Sequence, residues 1–157
     1  MAQASNDELR TWDGASLVVA LVEQRVSPRY KANGLAGLNQ AERVLLSIFD
    51  LDNEVCNGGF SQWLFHVAGD LLAVTPACLQ EIGADDVAVV VQRVLGEFGE
   101  ESPSTDYWQR EQQIFALAES ADRVFHEADR AFNGLEQGVL QRLYEFARAH
   151  LAEFRSG

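Results

Sequence analysis

Apolar residues recur along this chain three and four positions apart, the spacing of one face of an α-helix, while strand-type alternation is nearly absent. The first stripe, Leu17, Val18, Leu21 and Val22, predicts a helix from Asp7 or Asp13 to Arg25, and Ser27-Pro28-Arg29-Tyr30 to Gly37 reads as a loop. Asn39 caps the next helix, with Glu42 three residues on completing a capping-box pattern. That helix presents Val44, Leu45, Ile48, Leu51 and Val55 on one side. It is expected to end in a turn at Asn57-Gly58-Gly59, with at least one glycine at positive φ. A short aromatic helix, Phe60 to Ala68, then stops at Gly69. Thr75-Pro76 opens another, with proline at the first helical position, and Gly83 ends it.

Asp85 and Asp86 stand in the first turn of the following helix, where the helix dipole favours anions. Its stripe is Val87, Val90, Val91, Val94, Leu95 and Phe98, a helical spacing that outweighs the strand preference of valine. Gly99 to Ser104 is the main loop. A long helix follows from Thr105 to Phe132, with Phe115, Ala118, Ala121, Phe125 and Phe132 inward and Asn133-Gly134 as its stop. The last helix, Glu136 to Phe154, buries Leu140, Leu143, Ala147 and Leu151. The pattern predicts an all-α, compact single-domain bundle of six or seven helices spanning residues 1–157.

Composition fits that picture: 47% hydrophobic and 23% charged residues in 157 positions are enough for one self-sufficient core. No early apolar run is long enough to cross a membrane, and no cleavable leader pattern is present, so the expected location is the cytoplasm. Cys56 and Cys78 are too few and too distant in sequence for a metal site and are expected to pack as small buried apolar residues.

Charge changes the picture most. The net value is −12, and residues 44–109 hold eleven acids against Arg93 alone. Such a field repels nucleic acid and membrane surfaces and attracts basic partners. With one lysine and no basic stripe, direct DNA binding is not expected.

Candidate chemistry is sparse. Asp50-Leu51-Asp52-Asn53-Glu54 lacks the glycine and distal glutamate of an EF-hand. On a helix Asp50 and Glu54 share a face, whereas Asp52 points roughly opposite, so these groups cannot converge on a metal. Asp52 falls within the apolar stripe. Its carboxylate therefore needs donors, and the amides of the Gly58-Gly59 turn or of the next helix are the nearest candidates. Glu119, Asp122, His126 and Asp129 share one face of the long helix, opposite its apolar side, and are expected to face water. His66 and His150 have no nucleophile at a recognised spacing, and neither a nucleophile elbow, a P-loop nor a dinucleotide fingerprint occurs. No catalytic residue, metal or cofactor is expected.

The segment Glu54-Val55-Cys56-Asn57-Gly58-Gly59-Phe60-Ser61-Gln62-Trp63 resembles the signature of the bacterial DNA-mimic-protein-like family: a helix ending in Glu-Val-x-Asn-Gly-Gly-Phe, then a polar-aromatic run. Leu38-Asn39-Gln40-Ala41-Glu42-Arg43, Leu79-Gln80-Glu81-Ile82-Gly83-Ala84 and the closing helix from Leu135 to Phe154 are similar to it too, so the likeness spans about 38–154. Cys56 stands where a second Asn is expected. The resemblance implies an all-α fold and a surface that imitates duplex DNA to occupy a DNA-binding protein, a role in transcription regulation.

Within that motif Glu54, Asn57, Gly58, Gly59 and Phe60 read as structural, a helix stop and a core anchor. The mimicking surface is expected around Asp50, Glu54, Asp85, Asp86, Glu97, Glu100 and Glu101, facing a basic, DNA-binding protein. Two alternatives stay open: an immunity or antitoxin protein neutralising a cationic toxin, and a small enzyme built on Asp52, Glu54, Asn57 and His66. A homodimer is compatible with the sequence.

Overall fold

The computed structural model describes residues 2–156. A single turn, α1 (Asn6–Leu9), precedes seven longer helices: α2 (Gly14–Leu21), α3 (Ser27–Asn33), α4 (Gln40–His66), α5 (Gly69–Glu81), α6 (Asp85–Gly96), α7 (Tyr107–Phe115) and α8 (Glu119–Ala149). No strand occurs among the described residues.

The longest elements, α4 and α8, pack on one another. α5 and α6 close over them, and α2 lies along α8. The α4 stripe read from the sequence, Val44, Leu45, Ile48, Leu51 and Val55, is buried throughout, as are Val87, Val91 and Val94 of α6. Polar ties fix the periphery. The buried Arg25 guanidinium donates to Asn6 Oδ1 (2.7 Å), Phe154 O (2.8 Å) and Ala4 O (2.7 Å), joining the two ends of the chain. Buried Glu42 completes the Asn39 capping box and accepts from Arg155 Nη2 at 2.6 Å. A side chain at 0% exposure thereby keeps its charge paired.

The sequence placed most elements but misplaced several boundaries. Both candidate starts of the first helix are used: α1 begins after Ser5 and α2 is capped by Asp13. The helix then continues through a π-turn, Val22–Val26, into α3, so the expected loop at 27–37 is largely helical. Pro28 is tolerated because it sits in the first turn of α3. Thr75-Pro76 is not a helix start; α5 begins at Gly69, and Pro76 lies inside it, with Thr75 Oγ1 donating to Leu71 O at 2.6 Å. Gly69 serves a close approach, since a Cβ there would lie 2.6 Å from the Thr105 backbone. The helix read as 105–132 is interrupted at 116–118, and α8 runs on through Asn133-Gly134. Buried Phe125, Ala128, Phe132, Val139, Leu143 and Ala147 keep one face in the core. That burial outweighs the penalty of about 1 kcal/mol for a helical glycine. Phe115 is 75% exposed rather than inward, and Ala118 is exposed as well.

At Asn57-Gly58-Gly59 the helical backbone breaks as expected. Gly58 (φ −157°, ψ 17°) and Gly59 (φ 74°, ψ −175°) leave the helical region, and Gly59 adopts a conformation nearly restricted to glycine. The break turns Phe60 into the core, where its ring meets Trp63 and Phe132 edge-on at 5.7 and 6.0 Å. The freed Phe60 N–H donates to Asp129 Oδ1 of α8 at 2.7 Å. The partner expected for these amides was Asp52; the structure gives the role to Asp129, which is half-buried rather than wholly in water.

A Cβ on Gly59 would lie 2.5 Å from Asp129 Oδ2. Gly59→Ala is therefore expected to destabilise the fold by about 2 kcal/mol or more, through backbone strain and displacement of that carboxylate. Asp129→Ala should cost about 1–3 kcal/mol by orphaning the Phe60 amide, whereas Asp129→Asn, which keeps an acceptor, should cost less. Urea denaturation of the three variants checks both.

Candidate functional site

Two faces of α4 carry its carboxylates. On one, Asp50 and Glu54 line a cleft of about 290 Å³ with Tyr30, Lys31, His66 and Leu71. Glu54 accepts from Gln62 Nε2 at 2.7 Å and lies 3.2 Å from His66 Nδ1. Tyr30 OH donates to Asp70 Oδ1 at 2.8 Å, and burial, then that bond, pushes the phenol up. Burial, then the neighbouring Glu54 charge, raises the Asp50 carboxyl from 3.8 to about 6.

On the opposite face Asp52 meets Cys56 and, from α8, Glu136. Cys56 Sγ lies 3.2 Å from Glu136 Oε1 and 3.6 Å from Asp52 Oδ1. Cys56 is thus exposed and polar in its contacts, not a buried apolar filler, while Cys78 is buried as expected. Burial, then the Glu136 charge, raises the Asp52 carboxyl from 3.8 to about 6. Burial and both carboxylates push the thiol to about 12. Asp52, Cys56 and Glu136 form the one set among the described residues whose ligand atoms converge, all within 4.8 Å. Their separations resemble the edge of roughly 3.5 Å that sulfur and oxygen form around a tetrahedral ion. Asp52 does diverge from Asp50 and Glu54 around α4, and α8 supplies the group that faces it.

The quartet of the enzyme reading is divided by this arrangement. Glu54 and His66 sit together, Asp52 lies across the helix, and Asn57 is exposed. Of the other side chains on that long-helix face, Glu119, Asp122 and His126 are exposed as expected.

The remaining carboxylates of the expected surface bracket α6. Asp85 and Asp86 are exposed at its start, Glu97 is half-exposed at its end, and Glu100 and Glu101 are exposed beyond. Twelve residues at about 1.5 Å each separate the two groups by roughly 18 Å along the axis. Arg93, alone against the acids of this stretch, is taken by Glu127 at 2.6 Å. Neither this pairing nor the approach of Asp129 and Glu136 to α4 is legible in the sequence, because each partner comes from a distant helix.

The fold and these groups define an all-α acidic domain with surface carboxylates on α6 and in the loop that follows. The model of the DMP19-like protein family matches residues 36–150, and the chain belongs to that family. No curated protein and no solved structure matches the chain. No helix among the described residues is long and apolar enough to cross a membrane.

Two titrations are expected. The raised Asp50 carboxyl favours the folded state fully below about pH 4, and that contribution is lost as pH rises through about 6. Asp50→Asn should therefore raise the stability at pH 7–8 by about 1 kcal/mol, with the gain vanishing below pH 4, as read from thermal melts across pH. Cys56, although exposed, should react slowly with a disulfide reagent at pH 8, and Glu136→Gln should accelerate it by lowering the thiol pKa. An unchanged rate would show that Glu136 does not control the thiol.

Proposed function

We propose that this protein is a non-enzymatic acidic binding protein that occupies the basic, DNA-contacting face of a DNA-binding regulator in the bacterial cytoplasm, and so regulates transcription. One observation carries the reading: acids concentrate between residues 44 and 109, where Arg93 is the only arginine or lysine and is already engaged by Glu127. The separation of roughly 18 Å between the Asp85/Asp86 and Glu97 ends of α6 corresponds to about five base-pair steps of 3.4 Å. A rigid helix holding carboxylates at both ends can face a surface built for phosphates. Membership of the DMP19-like family supports the same reading.

The structural part of the motif stands apart from this role. Gly58, Gly59 and Phe60 shape α4, and the binding groups are Asp50, Glu54, Asp85, Asp86, Glu97, Glu100 and Glu101.

Affinity capture from the native host, followed by titration of the recovered protein, tests the proposal. Binding should weaken steeply with salt, since exposed charges are screened beyond about 8 Å at physiological ionic strength. Duplex DNA should compete. Combined Asp85→Asn, Asp86→Asn, Glu100→Gln and Glu101→Gln should weaken binding at least tenfold while shifting stability by no more than about 1 kcal/mol. Salt-independent affinity, or a ternary complex with DNA, would refute it. Carboxylates that map instead onto a toxin's active site would favour an immunity role.

A further inference from the structure

α7 places two large aromatic side chains largely in solvent. Trp108 is 68% exposed and Phe115 75%. Seven residues apart, they lie on one helical face, with Glu111 and Gln112 between them. Tyr107, 45% exposed, stands edge-on to Trp108 at 5.2 Å, and Phe65 of α4 lies 6.0 Å from Phe115, so the ledge extends at both ends. The opposite face anchors the helix: buried Arg110 donates to Leu64 O (2.8 Å), Val67 O (3.1 Å) and Ser104 O (2.8 Å).

The setting of this ledge is negative. Residues 97–122 hold Glu97, Glu100, Glu101, Asp106, Glu111, Glu119 and Asp122, and Arg110 is their one base. Arg110 is 3% exposed, and its guanidinium is spent on backbone carbonyls. Glu101 shares a groove of about 390 Å³ with Phe98 and with Gln109 and Gln112 of α7. The acidic loop and the aromatic face are therefore neighbours in space.

Carboxylates beside exposed indole and phenyl faces suit a guanidinium better than an ammonium. Arginine stacks on aromatic planes and gives up its hydration readily, whereas the lysine head is a compact, strongly hydrated charge. We infer that the α7 aromatic ledge, with Glu111 on it and Glu101 in the adjoining groove, is a docking site for an arginine-bearing segment of a basic partner protein. This rests on the acidic-surface reading and adds an anchor to it: charge draws the partner in, and Trp108 and Phe115 select arginine over lysine.

The test uses the full chain with two labelled peptides, nona-arginine and nona-lysine, in fluorescence-anisotropy titrations at two salt concentrations. Nona-arginine should bind about fivefold tighter or better. Trp108→Ala with Phe115→Ser should abolish that preference and leave nona-lysine binding nearly unchanged. Trp108→Phe, which keeps an aromatic face, should retain part of it. Both altered side chains are exposed, so melting temperature should hold, and Trp108→Phe alone serves if the double variant melts early.

Equal affinity for the two peptides, or a preference that survives the double variant, overturns the ledge while leaving the acidic surface standing if both peptides remain salt-sensitive. Failure of both peptides to bind, or binding indifferent to salt, overturns the acidic-surface reading and the ledge with it. Sedimentation showing a dimer that Trp108→Ala dissociates would assign the ledge to a second copy of the chain and overturn the proposal.

Discussion

Breaking a helix of 27 residues in its middle frees backbone amides that would otherwise be satisfied within the helix, and a buried unsatisfied amide costs on the order of 1–3 kcal/mol. Here the amide of Phe60 is met by the Asp129 carboxylate from α8, and that single bond ties the two longest helices together at the point where one changes direction. Much of the core follows from it. Phe60 can reach Trp63 and Phe132 only because Gly59 takes a backbone conformation closed to other residues. Asp129 can come so close only because Gly59 has no Cβ. The Gly58-Gly59-Phe60 segment is thus a packing device: glycine, amide and carboxylate are mutually required.

Beyond that joint, two arginines are drawn inward. Arg25 holds the chain ends and Arg110 holds α7 against the corner between α4 and α5, each on backbone carbonyls. Carbonyls are acceptors without net charge, so neither arginine uses up a carboxylate. Structural work of this kind leaves the acids of α6 and its following loop facing solvent, where their repulsion is screened by water and salt.

How much of this was legible in the sequence follows from which interactions are local. Stripes such as Val44, Leu45, Ile48, Leu51 and Val55, the Asn39–Glu42 capping box and a positive φ at one glycine of the Gly58-Gly59 pair depend on neighbours within a turn or two, and all are legible. Breaks set by tertiary contact are not. Asn133-Gly134 carries a stop signal that the buried face of α8 overrides, and Gly69, read as a stop, is a glycine because the backbone at Ser104 and Thr105 crosses it. The site suffered in the same way. Asp52 was rightly placed inside the apolar stripe, but its partners, Cys56 and Glu136, include a group 84 residues away.

Phe115 shows why such an error can be informative. Its spacing with Ala121, Phe125 and Phe132 put it on the inner face of one long helix, and that inference fails because the helix breaks at 116–118. A phenylalanine released from the core by a chain break ordinarily finds other apolar cover. This one touches Phe65 and otherwise faces water, as Trp108 does one face-repeat earlier. Two side chains of that size left in solvent forgo roughly 1.5–3 kcal/mol each of burial. Such a deficit, beside exposed carboxylates, is recovered when another surface covers them.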